Sequence, residues 1–108
     1  MKKLFEEFGE IIIGKNAKEN WILLDSADQN DYWFHLSDYP SCHIICKPYN
    51  KILEKKEIKY IAILCKINTN RCKSMTNIYV DYTLVKYLKK DDKIVGQVFI
   101  SNYKQIKI

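Results

Sequence analysis

A chain of 108 residues holds one domain and is too short for two, and its 47% hydrophobic and 29% charged content belongs to a folded globular protein rather than a disordered one. A net charge of +5 favours a polyanionic partner or an anionic surface over a basic one. Apolar stretches such as Glu10–Ile13 and Tyr60–Cys65 fall far short of a membrane span, and Met1–Glu7 has no apolar core of signal-peptide length, so the expectation is a cytoplasmic or nuclear protein without membrane insertion.

The first element is the β-branched run Ile11-Ile12-Ile13, which reads as a strand closing at Gly14. Asn16 is a plausible helix N-cap with Glu19 three residues on, the spacing of a capping box, for a helix that carries Trp21, Ile22, Leu23 and Leu24 and frays by Asp28. Asp31 to Ser37 alternates: Tyr32, Phe34 and Leu36 share one face, Asp31, Trp33 and His35 the other. After a turn over Ser37–Ser41, Cys42 to Lys47 alternates again, with His43 and Ile45 opposite Cys42, Ile44 and Cys46. Paired as a hairpin, these strands place the protein's two histidines, His35 and His43, on one face.

Pro48 breaks the second strand, and a helix is expected from about Glu54 to Ile67. Lys55, Lys59 and Lys66 fall in one stripe of it, while Ile58, Ile61, Leu64, Cys65 and Ile67 cover most of the rest, so this helix is largely buried with a basic strip outward. A polar connection, Asn68–Ser74, holds Arg71, the only arginine. Two further strand-like stretches follow in Asn77–Lys89 and Gly96–Ile108, separated by a charged loop at Lys89–Lys93, with Asn102-Tyr103 read as a tight hairpin turn. The whole is an α+β fold: a mainly antiparallel β-sheet with two packed α-helices in a single domain spanning residues 1–108.

Three constellations could carry chemistry. In Gly14-Lys15-Asn16-Ala17-Lys18-Glu19-Asn20 a glycine lets backbone approach a ligand, the first helical turn offers free N–H groups, and Lys15 and Lys18 flank it, which suits a phosphate. It is not a P-loop, lacking the second glycine and the Gly-Lys-Ser/Thr ending. Trp33 and His35, with His43 nearby, could stack unpaired bases or could be core residues with a hydrogen-bonded edge. The third is the basic series Lys55, Lys59, Lys66, Arg71 and Lys73, which could hold phosphates or be a solvated face. The four cysteines, Cys42, Cys46, Cys65 and Cys72, form no Cys-x-x-Cys pair and read as reduced, mostly buried thiols. A zinc site from Cys42, His43, Cys46 and Cys72 has the wrong spacing and sends adjacent ligands to opposite strand faces. No metal, cofactor or catalytic residue set is expected.

The same segments resemble the NFACT-R family, an RNA-binding domain. The resemblance begins with Gly14-Lys15-Asn16-Ala17 and Asn20, and continues through Asp31–His35 and Pro40–Ile45. It then runs through Ala62 and Asn70-Arg71 to Val80-Asp81-Tyr82-Thr83, Val85-Lys86 and Gly96-Gln97-Val98. Departures are Pro40-Ser41 where the family usually has a glycine, Asn68-Thr69-Asn70 where it has a serine-containing turn, and Val95 where a proline commonly precedes the glycine. Larger family members carry further modules and act on stalled large ribosomal subunits with bound transfer RNA. Those modules are not in this sequence, so the resemblance implies the stand-alone form without the associated tailing activity.

The expectation is therefore a binding module for RNA of transfer- or ribosomal-RNA type, linked to translation, with DNA left open. Its nucleic-acid-binding residues would be Gly14, Lys15, Asn16, Lys18, Asn20, Trp33, His35, His43, Lys55, Lys59, Arg71, Lys73 and Lys86. The rival readings are an RNA-processing or RNA-modifying enzyme using His35, His43 and Asp31, and a module that docks on ribosomal protein or on a second copy of itself.

Overall fold

The triple isoleucine becomes the second strand of a six-stranded antiparallel sheet in a computed structural model that describes residues 1–50 and 52–108. In chain order the strands and helices are β1 (Lys2–Glu6), β2 (Gly9–Gly14), α1 (Ala17–Asp25), β3 (Tyr32–Leu36), β4 (His43–Pro48), α2 (Lys55–Ile67), β5 (Tyr79–Leu84), β6 (Leu88–Lys90), β7 (Val98–Ile100) and β8 (Lys104–Lys107). The main sheet has the order β1-β2-β4-β3-β5-β8, and β6 and β7 form a separate two-stranded ribbon. The fold is α+β, as its alternating segments predict. Among the described residues no helix is long and apolar enough to cross a membrane.

Alternation decides the layers. Ile11, Ile13, Phe34, Leu36, Ile44, Cys46 and Val80 face one side of the sheet, where Ile58, Ile61, Ala62 and Cys65 of α2 cover them. Ile12, Trp33 and Ile45 face the other side, against Leu23 and Leu24 of α1 and Val85. The two helices thus lie on opposite faces. The β6–β7 ribbon joins α1 on its face through Leu88, Val98 and Ile100, and Lys90 fastens the two by an ion pair to Asp25 and a position 4.7 Å over the Trp21 ring.

Three local expectations change in detail. Asn16 does cap α1, its side chain accepting the Glu19 N–H at 2.9 Å, but the Glu19 carboxylate reaches past the cap to the Lys15 N–H at 3.0 Å, so the box is displaced by one residue. The complete capping box belongs to α2, where Glu54 and Glu57 exchange backbone contacts. Asn102-Tyr103 is no hairpin turn: the strands on either side belong to different sheets, β7 pairing β6 and β8 pairing β5, and Thr83 donates to the Asn102 carbonyl at 2.5 Å where the chain crosses over. Lys89 and Lys90 belong to β6, so the charged loop begins after them.

Candidate functional site

Strand registers align one polar rung across five strands. Gly14 of β2 is opposite His43 of β4, His35 of β3 is opposite Asp81 of β5, and Asp81 is opposite Gln105 of β8. The rung closes in the middle, where the His35 and His43 rings meet edge to face at 5.1 Å. Beneath it runs an apolar rung of Ile12, Ile45 and Trp33. The expected meeting of the two histidines on one face is what the hairpin delivers.

Gly14 starts the rung for a steric reason. A Cβ there would come within 2.4 Å of the Leu23 side chain and 2.6 Å of Asn20 Oδ1. The missing side chain lets α1 settle onto the sheet, and the buried Asn20 then accepts the His43 backbone N–H at 3.2 Å. Gly14 is buried and admits a helix, in place of the expected close approach of its backbone to a ligand.

Trp33 is 1% exposed and His43 3%, so neither presents a free ring on which a base could stack. Trp33 braces instead: its indole N–H donates to His43 Nδ1 at 3.2 Å, and its ring lies parallel to His35 at 5.7 Å. An indole N–H can only donate, so the His43 nitrogen facing it is unprotonated and the ring proton sits on Nε2. Burial, with His35 beside it, pushes the His43 pKa down to about 3. Burial also lowers that of His35, partly offset by the charge of Asp81. Asp81 is itself held: its Oδ1 accepts from Ser37 at 2.6 Å and from Gln105 at 2.9 Å.

Above this floor opens a cleft of about 590 Å³. Lys15, Asn16 and Ala17 form the wall at the mouth of α1, Ser37–Ser41 a second wall, and the residues from Ile94 to Val98 a third. Gly96, at φ +88°, packs on Ala17, where a Cβ would stand 2.7 Å from the alanine's own, so the third wall is clamped to the helix mouth. Two of the mouth's N–H groups are used by the protein, that of Lys15 by Glu19 and that of Glu19 by Asn16. Those of Ala17 and Lys18, the first two helical residues, have no acceptor within the helix.

Lys15, Asn16, Asn20, Trp33, His35 and His43 line this cleft, and Gly14 lies behind it. Arg71 reaches its edge indirectly, the guanidinium 5.9 Å from the centre of the Tyr39 ring, which lines the wall. Lys73 is exposed two residues beyond, and Lys18 is exposed on the first turn of α1. Lys55 and Lys59 do not line this cleft: they are exposed on α2, across the sheet from it. Lys66 leaves the outward stripe to donate to the Met75 carbonyl at 3.1 Å. Lys86 lies at the far end of β3, its N–H on the Gln29 carbonyl at 3.0 Å and its ammonium 5.5 Å from the Tyr87 ring.

The proposed enzymatic trio does not assemble. Asp31 precedes β3, about 13 Å along the strand from His35 at ~3.3 Å per residue, and pairs with Lys47 at 2.6 Å while accepting the Asp28 N–H at 2.8 Å. The carboxylate beside His35 is Asp81. Asp81, Tyr39 and the Ile94–Val98 wall are site residues outside the expected set; Asp81 carried a signal, as a charge on the outward side of the Ile78, Val80, Tyr82 alternation, and Gly96-Gln97-Val98 another, as part of the family resemblance. Among the described residues no group of three or more His, Cys, Asp or Glu is placed to hold a metal ion.

The profile of the family described as "NFACT protein RNA binding domain" matches residues 6–102. Over 103 residues the chain is 33% identical to coiled-coil domain-containing protein 25 of Bos taurus and of Mus musculus, and 31% identical to that of Danio rerio. Each alignment takes in 91% of this chain and 50% of the relative, so the chain spans about half the length of the curated relatives it matches. The C-terminal part of the fibronectin/fibrinogen-binding protein from Streptococcus suis superposes with a TM-score of 0.84 at 24% identity, covering 93% of this chain and 41% of that one. At that identity the likeness is one of fold.

Proposed function

This chain belongs to the NFACT protein RNA-binding domain family, and from that premise we propose that its cleft is where RNA binds, in preference to DNA. We further propose structured RNA of transfer- or ribosomal-RNA type as the ligand, in the service of translation in the cytoplasm. The supporting observation is the coincidence of three features in one cleft: Lys15, the N–H groups at the mouth of α1 that no described residue engages, and the polar rung beneath them. Each alone is common; together they join an anion-attracting edge to a floor of hydrogen-bonding groups.

In this reading Lys15 and the helix mouth receive a phosphate, Arg71 steadies a neighbouring one from behind Tyr39, and Trp33 and His43 hold the floor rigid. The test is titration of a transfer-RNA transcript at low salt with the wild type, Lys15→Ala and Arg71→Ala, folding being checked by circular dichroism. Both variants bind more weakly and remain folded. Unchanged affinity in both overturns the assignment, and an affinity insensitive to salt favours a protein-docking module instead.

A further inference from the structure

We infer that the cleft takes one unpaired nucleotide, its base lowered onto the His43–His35–Asp81 rung while its phosphate stays at Lys15. This rests on the nucleic-acid reading above and goes further by naming what enters.

Charge is the first argument. The lining holds carboxylates as well as Lys15, namely Asp38 and Asp81. A groove that tracked phosphates along its whole length would set them against these two negative charges. The anion-attracting part is confined to the Lys15 edge, and the ligand portion over Asp81 must be uncharged. A nucleotide divides in that way, with an anionic phosphate at one end and a neutral base at the other.

Hydrogen bonding is the second. His43 is 3% exposed, lines the cleft, and spends Nδ1 on the Trp33 indole. Its remaining polar group, Nε2–H, has no acceptor among the described residues. The atom is not sealed off: with Nδ1 spent on the indole, Nε2–H is the donor that this ring leaves open to the cleft. Asp81 stands two places along the rung with Oδ1 taken by Ser37 and Gln105 and its second oxygen unengaged by any described residue. The floor therefore offers a fixed donor and a fixed acceptor, which matches the mixed donor and acceptor edge of a base and not a phosphate, which only accepts. A carboxylate favours bases bearing an amino group, so cytosine, adenine and guanine should bind ahead of uracil.

Size and surface are the third. About 590 Å³ lies within the size range of small-ligand sites, room enough for one base. The Tyr39 ring and the side chains of Val95 and Val98 give it the flat apolar surface that ring faces prefer.

The experiment uses the full chain and three RNA hairpins: one fully paired and blunt, one with a single-nucleotide cytosine bulge, and one with an abasic residue at the bulge. Binding is read by fluorescence anisotropy for the wild type, Lys15→Ala, Asp81→Asn and Val95→Trp. Val95 is exposed at the cleft edge, so tryptophan there narrows the opening without disturbing the core. The bulged RNA binds about tenfold more tightly than the blunt and abasic ones, Val95→Trp removes that advantage, and replacing cytosine by uracil reduces it in the wild type but not in Asp81→Asn. Equal affinity for all three hairpins, with Lys15→Ala weakening each, overturns the inference and leaves the nucleic-acid reading standing. Failure of the wild type to bind any hairpin or a transfer-RNA transcript overturns both.

Discussion

The indole N–H of Trp33 donates to Nδ1 of His43 across 3.2 Å in the interior of the sheet's α1 face. That one bond fixes a histidine tautomer, satisfies a buried indole, and sets the donor edge of the cleft floor. It also makes stability depend on pH. The His43 pKa stands at about 3 in the folded protein against an ordinary 6.5, so between those values the unfolded chain binds a proton that the folded one refuses. Stability from this group is complete above pH 6.5 and is lost as pH falls toward 3, by roughly 4–5 kcal/mol in all. His35, lowered by burial, acts in the same direction. Urea midpoints measured at pH 7.5, 6 and 5 should therefore fall, and His43→Gln, whose amide oxygen can still accept the indole N–H, should flatten the decline. An unchanged slope in that variant refutes the assignment.

Gly14→Ala tests the seating of α1. The added methyl meets the Leu23 side chain at 2.4 Å and Asn20 Oδ1 at 2.6 Å, and the Asn20 backbone nitrogen at 3.1 Å leaves no easy retreat. Overpacking of this kind costs about 1–3 kcal/mol. The helix mouth is displaced with Asn20, so RNA affinity falls together with the melting temperature. A variant with wild-type melting and wild-type binding would show that the helix sits farther from the sheet than it does here.

Much of this was legible in local pattern. The alternation of Tyr32–Leu36 and of Cys42–Lys47 foretells two strands, their faces, and the meeting of His35 with His43; Asn16 announces the start of α1. What depends on distant pairing was not legible. Lys55 and Lys59 look continuous with Arg71 along the chain, yet α2 packs on the face opposite the cleft, because Ile58, Ile61 and Cys65 meet Phe34 and Ile44, not Trp33 and Ile45. Asp81 becomes a partner of His35 only through the register of β3 and β5, the two residues standing 46 positions apart in the chain. Strand β1 has no such local pattern: its apolar residues are few, Leu4 and Phe5, and its place is set by pairing with β2.

The layer assignment makes a separate prediction about charge. Lys55→Ala with Lys59→Ala removes two exposed positive charges on the α2 side and should leave the RNA affinity within about twofold, since screening over ~8 Å at physiological salt isolates them from the cleft. Lys15→Ala alone should weaken binding and reduce the slope of log affinity against log salt by about one, the signature of a single lost phosphate contact. Salt titrations of the three proteins check both. A double variant that binds as weakly as Lys15→Ala would move the RNA to the other face of the sheet.

The thiols give a test of the packing between α2 and the start of β4. Cys42 and Cys65 bring their sulfurs within 3.8 Å, and Thr69 Oγ1 stands 3.7 Å from the Cys42 sulfur. The hydrogen bond from Cys65 holds the Cys42 thiol below its ordinary pKa, with Thr69 helping and burial opposing. The same partnership, with complete burial, raises Cys65, and burial pushes Cys46 up to about 12. All four thiols are buried, Cys42 the least so at 5% exposure, and the thiolate is the reactive form, so iodoacetamide at pH 8 should alkylate Cys42 ahead of Cys46, Cys65 and Cys72 as the domain opens. Peptide mapping over a time course reads the order directly. Thr69→Val removes the hydroxyl that stabilises the Cys42 thiolate and should slow its labelling relative to the other three; faster labelling of Cys46 or Cys65 than of Cys42 would mean that α2 does not lie on this edge of the sheet as described.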